Sequence, residues 1–170
     1  MSNPVHLSPY QVEWKAIFAR EKGSLLKTLG GESFPVEHIG STSIPNLSAK
    51  PIIDILLGLE NLNDYTLFIP RLARISYRYI PKPELHGRRF FKKATLSTGT
   101  IHLHVCEWRG REWEEKIAFR NYLRANKDIA MAYECLKRRL AEEYREERSM
   151  YTHQKAPFIQ SVLEQIRKKS

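Results

Sequence analysis

The chain is 170 residues long, 42% hydrophobic and 28% charged, the balance of an ordinary soluble globular protein with room for a sizeable core. The opening MSNPVHLSPY lacks an apolar signal segment and no run reaches membrane-spanning length, so no membrane partner and a cytoplasmic location are expected. Net charge is +9 and unevenly spread: residues 61–110 hold nine Lys/Arg against three Asp/Glu, residues 1–60 five against six. That field favours polyanions such as nucleotides, nucleic acid or acidic phosphoesters without choosing among them, and a solvated basic face has the same composition. Cys106 and Cys135 stand apart, which excludes a CxxC-type zinc site.

Taken in order, Ser8-Pro9-Tyr10-Gln11 predicts the start of a first helix, with Ser8 as N-cap and Pro9 in the first turn. Tyr10, Trp14, Ile17, Phe18, Leu25 and Leu29 form its apolar face, and Gly30-Gly31 ends it. Phe34 to Ile39 reads as a short strand, followed by a Gly40-Ser41 turn where a helix could begin. Pro51-Ile-Ile-Asp-Ile-Leu-Leu reads as a buried strand carrying one acid, Asp54.

Asn61 to Ile75 predicts a second helix, capped by Asn63 or Asp64, with Leu67, Phe68 and Leu72 inward. A short extended piece at Tyr77 to Ile80 and a Pro/Gly loop precede an antiparallel pair, Arg88 to Leu96 and Gly99 to Trp108, turning at Ser97-Thr98-Gly99. Arg111 to Ala125 and Asp128 to about Arg148 are helical. The second buries Ile129, Tyr133, Leu136 and Leu140 and leaves its KRR and EEYREER segments in solvent. Pro157 opens a last helix. Strands mixed with helices, then helices alone, make an α+β fold: a mixed β-sheet over about residues 34–108, flanked by helices, with a helical C-terminal third at about 111–168. The whole chain, 1–170, reads as a single domain.

Three stretches can carry chemistry. A carboxylate inside an apolar strand is costly unless paired, so Asp54 is either held by Lys50 or an arginine, or ligates a metal. Gly40, Ser41, Thr42 and Ser43 offer backbone N–H groups and hydroxyls to an anion, or simply cap a turn. His102 and His104 share one strand face about 7 Å apart, suited to a metal or to a phosphate, with His38 as a third candidate. Histidines beside Asp54 also admit zinc or manganese. In RRFFKK, period-two alternation puts Arg88, Phe90 and Lys92 on one face and Arg89, Phe91 and Lys93 on the other; the run serves a base and its phosphate, or a protected sheet edge.

The strings PYQVEW (Pro9–Trp14), EHIGSTSIPNLSAKPIIDI (Glu37–Ile55), RRFFKK (Arg88–Lys93), IHLHV (Ile101–Val105), AFRNYLRAN (Ala118–Asn126) and YTHQKAPFI (Tyr151–Ile159) together resemble the GrpB family. The resemblance runs nearly the whole chain. That family is nucleotidyltransferase-like, similar in fold to the DNA polymerase β superfamily, and its domain is fused to dephospho-CoA kinase in some bacteria.

The resemblance implies a Gly40-Ser41 turn that cradles a nucleoside triphosphate and Asp54 as the first metal-binding acid, with Leu56 where the superfamily has its second. His104 or His102 stands near the place of the third. It implies Mg²⁺ (or Mn²⁺) on Asp54, His102 and His104, these also serving as the catalytic group. Phosphate would be held by Gly40, Ser41, Thr42, Ser43, Lys50, Arg88, Lys92 and Lys155. The expected function is metal-dependent transfer of a nucleotidyl group to an acceptor; the alternative is a weak or inactive module of the same fold that binds a nucleotide, coenzyme or RNA.

Overall fold

The computed structural model describes residues 4–31, 33–95 and 99–169. Its strands are β1 (Val36–Ile39), β2 (Ile52–Leu59), β3 (Arg78–Ile80), β4 (Arg88–Thr95) and β5 (Gly99–Glu107). Its α-helices are α1 (Glu13–Leu29), α2 (Tyr65–Arg74), α3 (Arg111–Ala125), α4 (Lys127–Glu143), α5 (Arg148–His153) and α6 (Ala156–Lys169). The strands form one mixed sheet in the order β1-β2-β5-β4-β3, in which only β2 and β5 run parallel. The α+β expectation holds, and within the described residues no helix is long and apolar enough to cross a membrane.

Alternation along the two central strands divides the sheet into unlike faces. Ile53, Ile55 and Leu57 of β2 and Ile101, Leu103 and Val105 of β5 are buried in one cluster with Trp14, Leu25 and Leu29 of α1 and Leu72 of α2. Fully burying side chains of this size is worth roughly 1.5–3 kcal/mol each, so this layer dominates stability. The opposite face carries Asp54, Leu56, His102, His104 and Cys106. At one end Leu56 and Cys106 pack with Ile39 under Trp113 of α3. At the other end, Asp54 and the two histidines are left partly open, each side chain between 14% and 25% exposed. The same sheet face is thus apolar and covered at one end, and polar and accessible at the other.

The C-terminal helices build a second core, in which Leu123, Tyr133 and Val162 pack against Ile44 and Leu47 from the segment before β2. That contact ties the Gly40-Ser41 turn to the helical third.

Several local expectations are corrected. Ser8 does not cap α1. It exchanges backbone hydrogen bonds with Ala49 at 2.8 and 3.0 Å, and the helix starts at Glu13 without a side-chain cap. Nearby Val5 is buried with Leu140 and Tyr151, and this tertiary packing outweighs the local capping signal. Gly30 at φ 101° ends α1 as expected, its N–H bonded to Leu26 O. The first strand starts at Val36 rather than Phe34, and after Gly40 the chain makes a single 3-10 turn, Ser41–Ser43, instead of entering a helix. Asn61, rather than Asn63 or Asp64, supplies the capping side chain before α2.

Leu67 is 68% exposed, because α2 turns Phe68 and Leu72 inward and Leu67 lies off that stripe. In α4, Lys137 of the KRR segment is buried, and the helix ends at Glu143, with α5 a separate short helix. The predicted Ser97-Thr98 turn lies outside the described residues; Thr95 pairs with Gly99 on either side of it.

Candidate metal and phosphate site

The parallel pairing of β2 with β5 sets Asp54 opposite His102 and Leu56 opposite His104. Their shared outward phase brings Asp54 to two histidines that lie about fifty residues further along the chain. His104 Nε2 lies 3.2 Å and His102 Nδ1 3.5 Å from Asp54 Oδ1. One ligand atom from each residue falls within 4.8 Å of the others. Phe90 of β4 backs both imidazoles, its ring centroid 5.0 Å from that of His102 and 5.4 Å from that of His104.

Burial opposes ionisation of Asp54, but hydrogen bonds from His102 and His104 and their charges outweigh it and hold the carboxyl far below its usual range. Burial keeps His104 biased toward the neutral imidazole, against the pull of Asp54. A carboxylate beside a neutral His104 imidazole is a protonation pattern compatible with metal binding. Among the described residues, His104 Nδ1 is buried without a hydrogen-bond partner. Two nitrogens and one oxygen suit a first-row transition metal better than Mg²⁺, which prefers oxygen.

Gly40 is required by Asp54 as much as by the turn. It adopts φ 72° and ψ −178°, a region open in practice only to glycine, and a Cβ there would lie 2.5 Å from Asp54 Oδ2. The three hydroxyls after it differ. Thr42 donates to Ile52 O at 3.0 Å, and Ser43 donates to Gly40 O at 2.6 Å. Ser41 stands on the wall of both neighbouring cavities and meets the Tyr133 hydroxyl.

His38 does not join the metal cluster, contrary to one expectation. It is paired with Ile55 in register, stacks on Phe18 of α1 and bonds Thr42 Oγ1 at 3.0 Å. Since the Thr42 proton is committed to Ile52 O, His38 Nε2 must be the donor. Burial accordingly pushes the imidazole down to about 4, against a smaller opposing effect of Asp54. Its role is to tie β1, the turn and β2 together. Arg120 and Arg124 of α3 add to this: Arg120 Nη1 donates to Glu37 and to His38 O, and Arg124 donates twice to Ser43 O.

Two cavities meet at Ser41, Asp54, Arg88 and His104. The larger, about 710 Å³, brings in Lys50, Lys82, His102, Tyr151, His153 and Lys155. Lys50 Nζ sits 5.0 Å and Lys155 Nζ 4.4 Å from the Tyr151 ring centroid, so two cations share one aromatic ring. Burial, then the charge of Lys50, brings Lys155 down to about 8. The smaller cavity, about 350 Å³, lies between this sheet face and α3, α4 and α6.

Of the phosphate-binding candidates, Ser41, Thr42, Lys50, Arg88 and Lys155 line the larger cavity and Gly40 the smaller. Ser43 faces into its own turn. Lys92 is opposite His102 in register but exposed and outside both cavities. Arg88 is also ion-paired to Glu112 at 2.7 Å. Lys82, Tyr151, Tyr133 and Lys116 were not anticipated. For Tyr151 the signal was the YTHQK string; for the others the sequence carried none.

One carboxylate and two imidazoles thus cluster beside a glycine turn, on a five-stranded mixed sheet flanked by helices. The family model described as GrpB protein matches residues 4–165. The chain is 40% identical over 167 residues to the glutamate-rich protein GrpB of Alkalihalophilus pseudofirmus, covering 95% of each chain. It is 34% identical to a UPF0157 protein of Halalkalibacterium halodurans, covering 94% of this chain and 80% of that one. The crystal structure of the conserved protein GrpB from Enterococcus faecalis superposes with a TM-score of 0.85 at 37% identity, covering 96% of this chain and 98% of that chain. The chain belongs to the GrpB family.

Proposed function

We propose that this protein is a metal-dependent nucleotidyltransferase, acting on a nucleoside triphosphate. The observation that carries the reading is the Asp54–His102–His104 cluster on the wall of a cavity that holds Lys50 and Lys155. Among the described residues, neither lysine is ion-paired with a carboxylate, and each lies against Tyr151, so an arriving polyphosphate would relieve their mutual repulsion. Asp54, His102 and His104 would hold the metal. Their donor set favours Mn²⁺ over Mg²⁺. The bound ion would supply charge neutralisation at the reacting phosphoryl oxygens.

In this reaction an oxygen or nitrogen of the acceptor bonds to the α-phosphorus as the bond to the bridging oxygen breaks. Pyrophosphate leaves with the electron pair, and the acceptor's proton passes to solvent at the open mouth. Lys50 and Lys155, which have no carboxylate partner among the described residues, are the residues that orient the phosphates.

A second reading, a nucleotide- or coenzyme-binding module without turnover, is favoured by one feature: Leu56, at the position of a second acid, is fully buried under Trp113. The two separate in one experiment. Transfer of an α-phosphate label into the small-molecule fraction of a bacterial extract is followed with Mn²⁺ for the wild type and Asp54→Asn. Nucleotidyl transfer requires labelled product from the wild type and none from the variant. Equal transfer by both ends the assignment, and triphosphate binding without any transfer selects the module.

A further inference from the structure

The two cavities share four wall residues yet differ in electrostatic state. In the larger one Lys50 and Lys155 carry no carboxylate partner among the described residues. In the smaller one the charges are compensated within the protein. Glu112 pairs with Arg88 at 2.7 Å and Lys116 at 3.7 Å. Glu115 pairs with Arg111 and Arg167, each at 2.9 Å, and Arg120 with Glu37 at 2.6 Å. The rest of that wall is largely apolar, including Ile39, Ile44, Phe119, Ile159 and Leu163, with Ser41 and Tyr133 as hydroxyls.

A dianionic phosphate entering the smaller cavity would have to break an existing ion pair to gain a cation. Leaving the abandoned carboxylate half-buried makes that exchange unfavourable. A neutral or zwitterionic molecule needs no such exchange, and its apolar body meets matching walls. At about 350 Å³ the space is near the lower end of the roughly 300–1,000 Å³ of small-molecule pockets, too small for a nucleic-acid strand.

We propose that the smaller cavity binds the acceptor, and that this acceptor is a small neutral or zwitterionic molecule with an apolar body and a hydroxyl or amine. That group is presented to Asp54 and Ser41 at the shared wall, while the polyphosphate is confined to the larger cavity. This assignment of the second substrate rests on the transferase reading; the partition of the two cavities by ligand charge can be measured without turnover.

The test uses two probes on the full chain. Ligand-observed NMR reports binding of a fragment set in three groups: neutral alcohols, zwitterionic amines, and phosphate or carboxylate anions. Calorimetry with Mn²⁺ and inorganic tripolyphosphate reports the larger cavity. Gln160→Trp, at an exposed position on the smaller cavity, fills it without altering a core residue. Ile159→Trp is the second blocking variant should the first not fold. Neutral or zwitterionic fragments are expected to bind the wild type and to weaken about tenfold or more in the blocked variant, with tripolyphosphate affinity unchanged. Lys155→Gln should do the reverse.

The proposal is overturned if no fragment binds the wild type in a manner the block removes, if the fragments lost are the anions, or if the block weakens tripolyphosphate. Failure of tripolyphosphate to bind the wild type, with the fragment result intact, would instead count against the transferase reading and reduce the proposal to a neutral-ligand site.

Discussion

Gly40 and Asp54 share a volume that only one side chain can occupy: a Cβ on Gly40 would fall 2.5 Å from Asp54 Oδ2. The glycine of the turn and the acid proposed to bind metal are therefore one steric unit. Gly40→Ala incurs both the backbone penalty of φ 72° and displacement of the carboxylate. A loss of about 1–3 kcal/mol in stability is expected, along with weakened Mn²⁺ binding. Chemical denaturation and calorimetric Mn²⁺ titration check the two effects separately; unchanged metal affinity would show that Asp54 swings clear at little cost.

Leu56→Asp should not create a second metal acid. Leu56 is fully buried among Ile39, Cys106 and Trp113, so an unpaired carboxylate there is expected to destabilise the protein by about 3 kcal/mol or more. Loss of soluble folded protein, or a large drop in melting temperature without gain in metal stoichiometry, is the predicted result. A stable variant that binds a second Mn²⁺ would contradict it.

Arg120 holds β1 to α3 through Glu37 and His38 O and is only 8% exposed. Arg120→Leu removes a charged donor from two acceptors. Because the Glu37 side chain is 41% exposed and can rehydrate, the expected loss is about 2 kcal/mol rather than the larger cost of breaking a fully buried pair. Urea unfolding of the variant measures it, and a change within about 0.5 kcal/mol would place Arg120 among surface residues.

The sheet was legible in the sequence because its signal is local and strong. Ile101, Leu103 and Val105 alternate with His102 and His104, and this period-two pattern alone separates core from site. Asp54 stood out for the same reason, as the one acid in an apolar strand. What the sequence did not disclose depends on contacts between distant segments. Ser8 has the residue pattern of a cap, but its backbone is claimed by Ala49. Lys137 looks like part of a solvated basic run, yet it lies inside, donating to Ser48 O and placed 5.2 Å from the Tyr133 ring centroid. The smaller cavity is likewise invisible in one dimension, since α3, α4 and α6 create it only by packing.

Lys137 also sets a pH dependence. Burial, the largest influence, pulls it from the usual lysine range down to about 7, despite the opposing charge of Glu134. The unfolded chain then binds more protons than the folded one between about pH 7 and the ordinary lysine value near 10.4, so stability should rise as pH increases across that window. Melting temperatures at pH 6.5, 7.5 and 8.5 should climb more steeply for the wild type than for Lys137→Met. Parallel slopes would mean the amine is not the titrating group.

The single parallel pairing in the sheet has a further consequence. Because Asp54 meets His102 and Leu56 meets His104 across β2 and β5, a one-residue slip would turn both imidazoles into the apolar layer and Leu103 out into solvent. The donor set therefore comes into being only when the longest-range strand pairing has closed in the right register. If the cluster binds Mn²⁺ as proposed, its uptake during refolding would act as a clock for that closure, timing the assembly of the sheet's centre by the arrival of an ion on its open face.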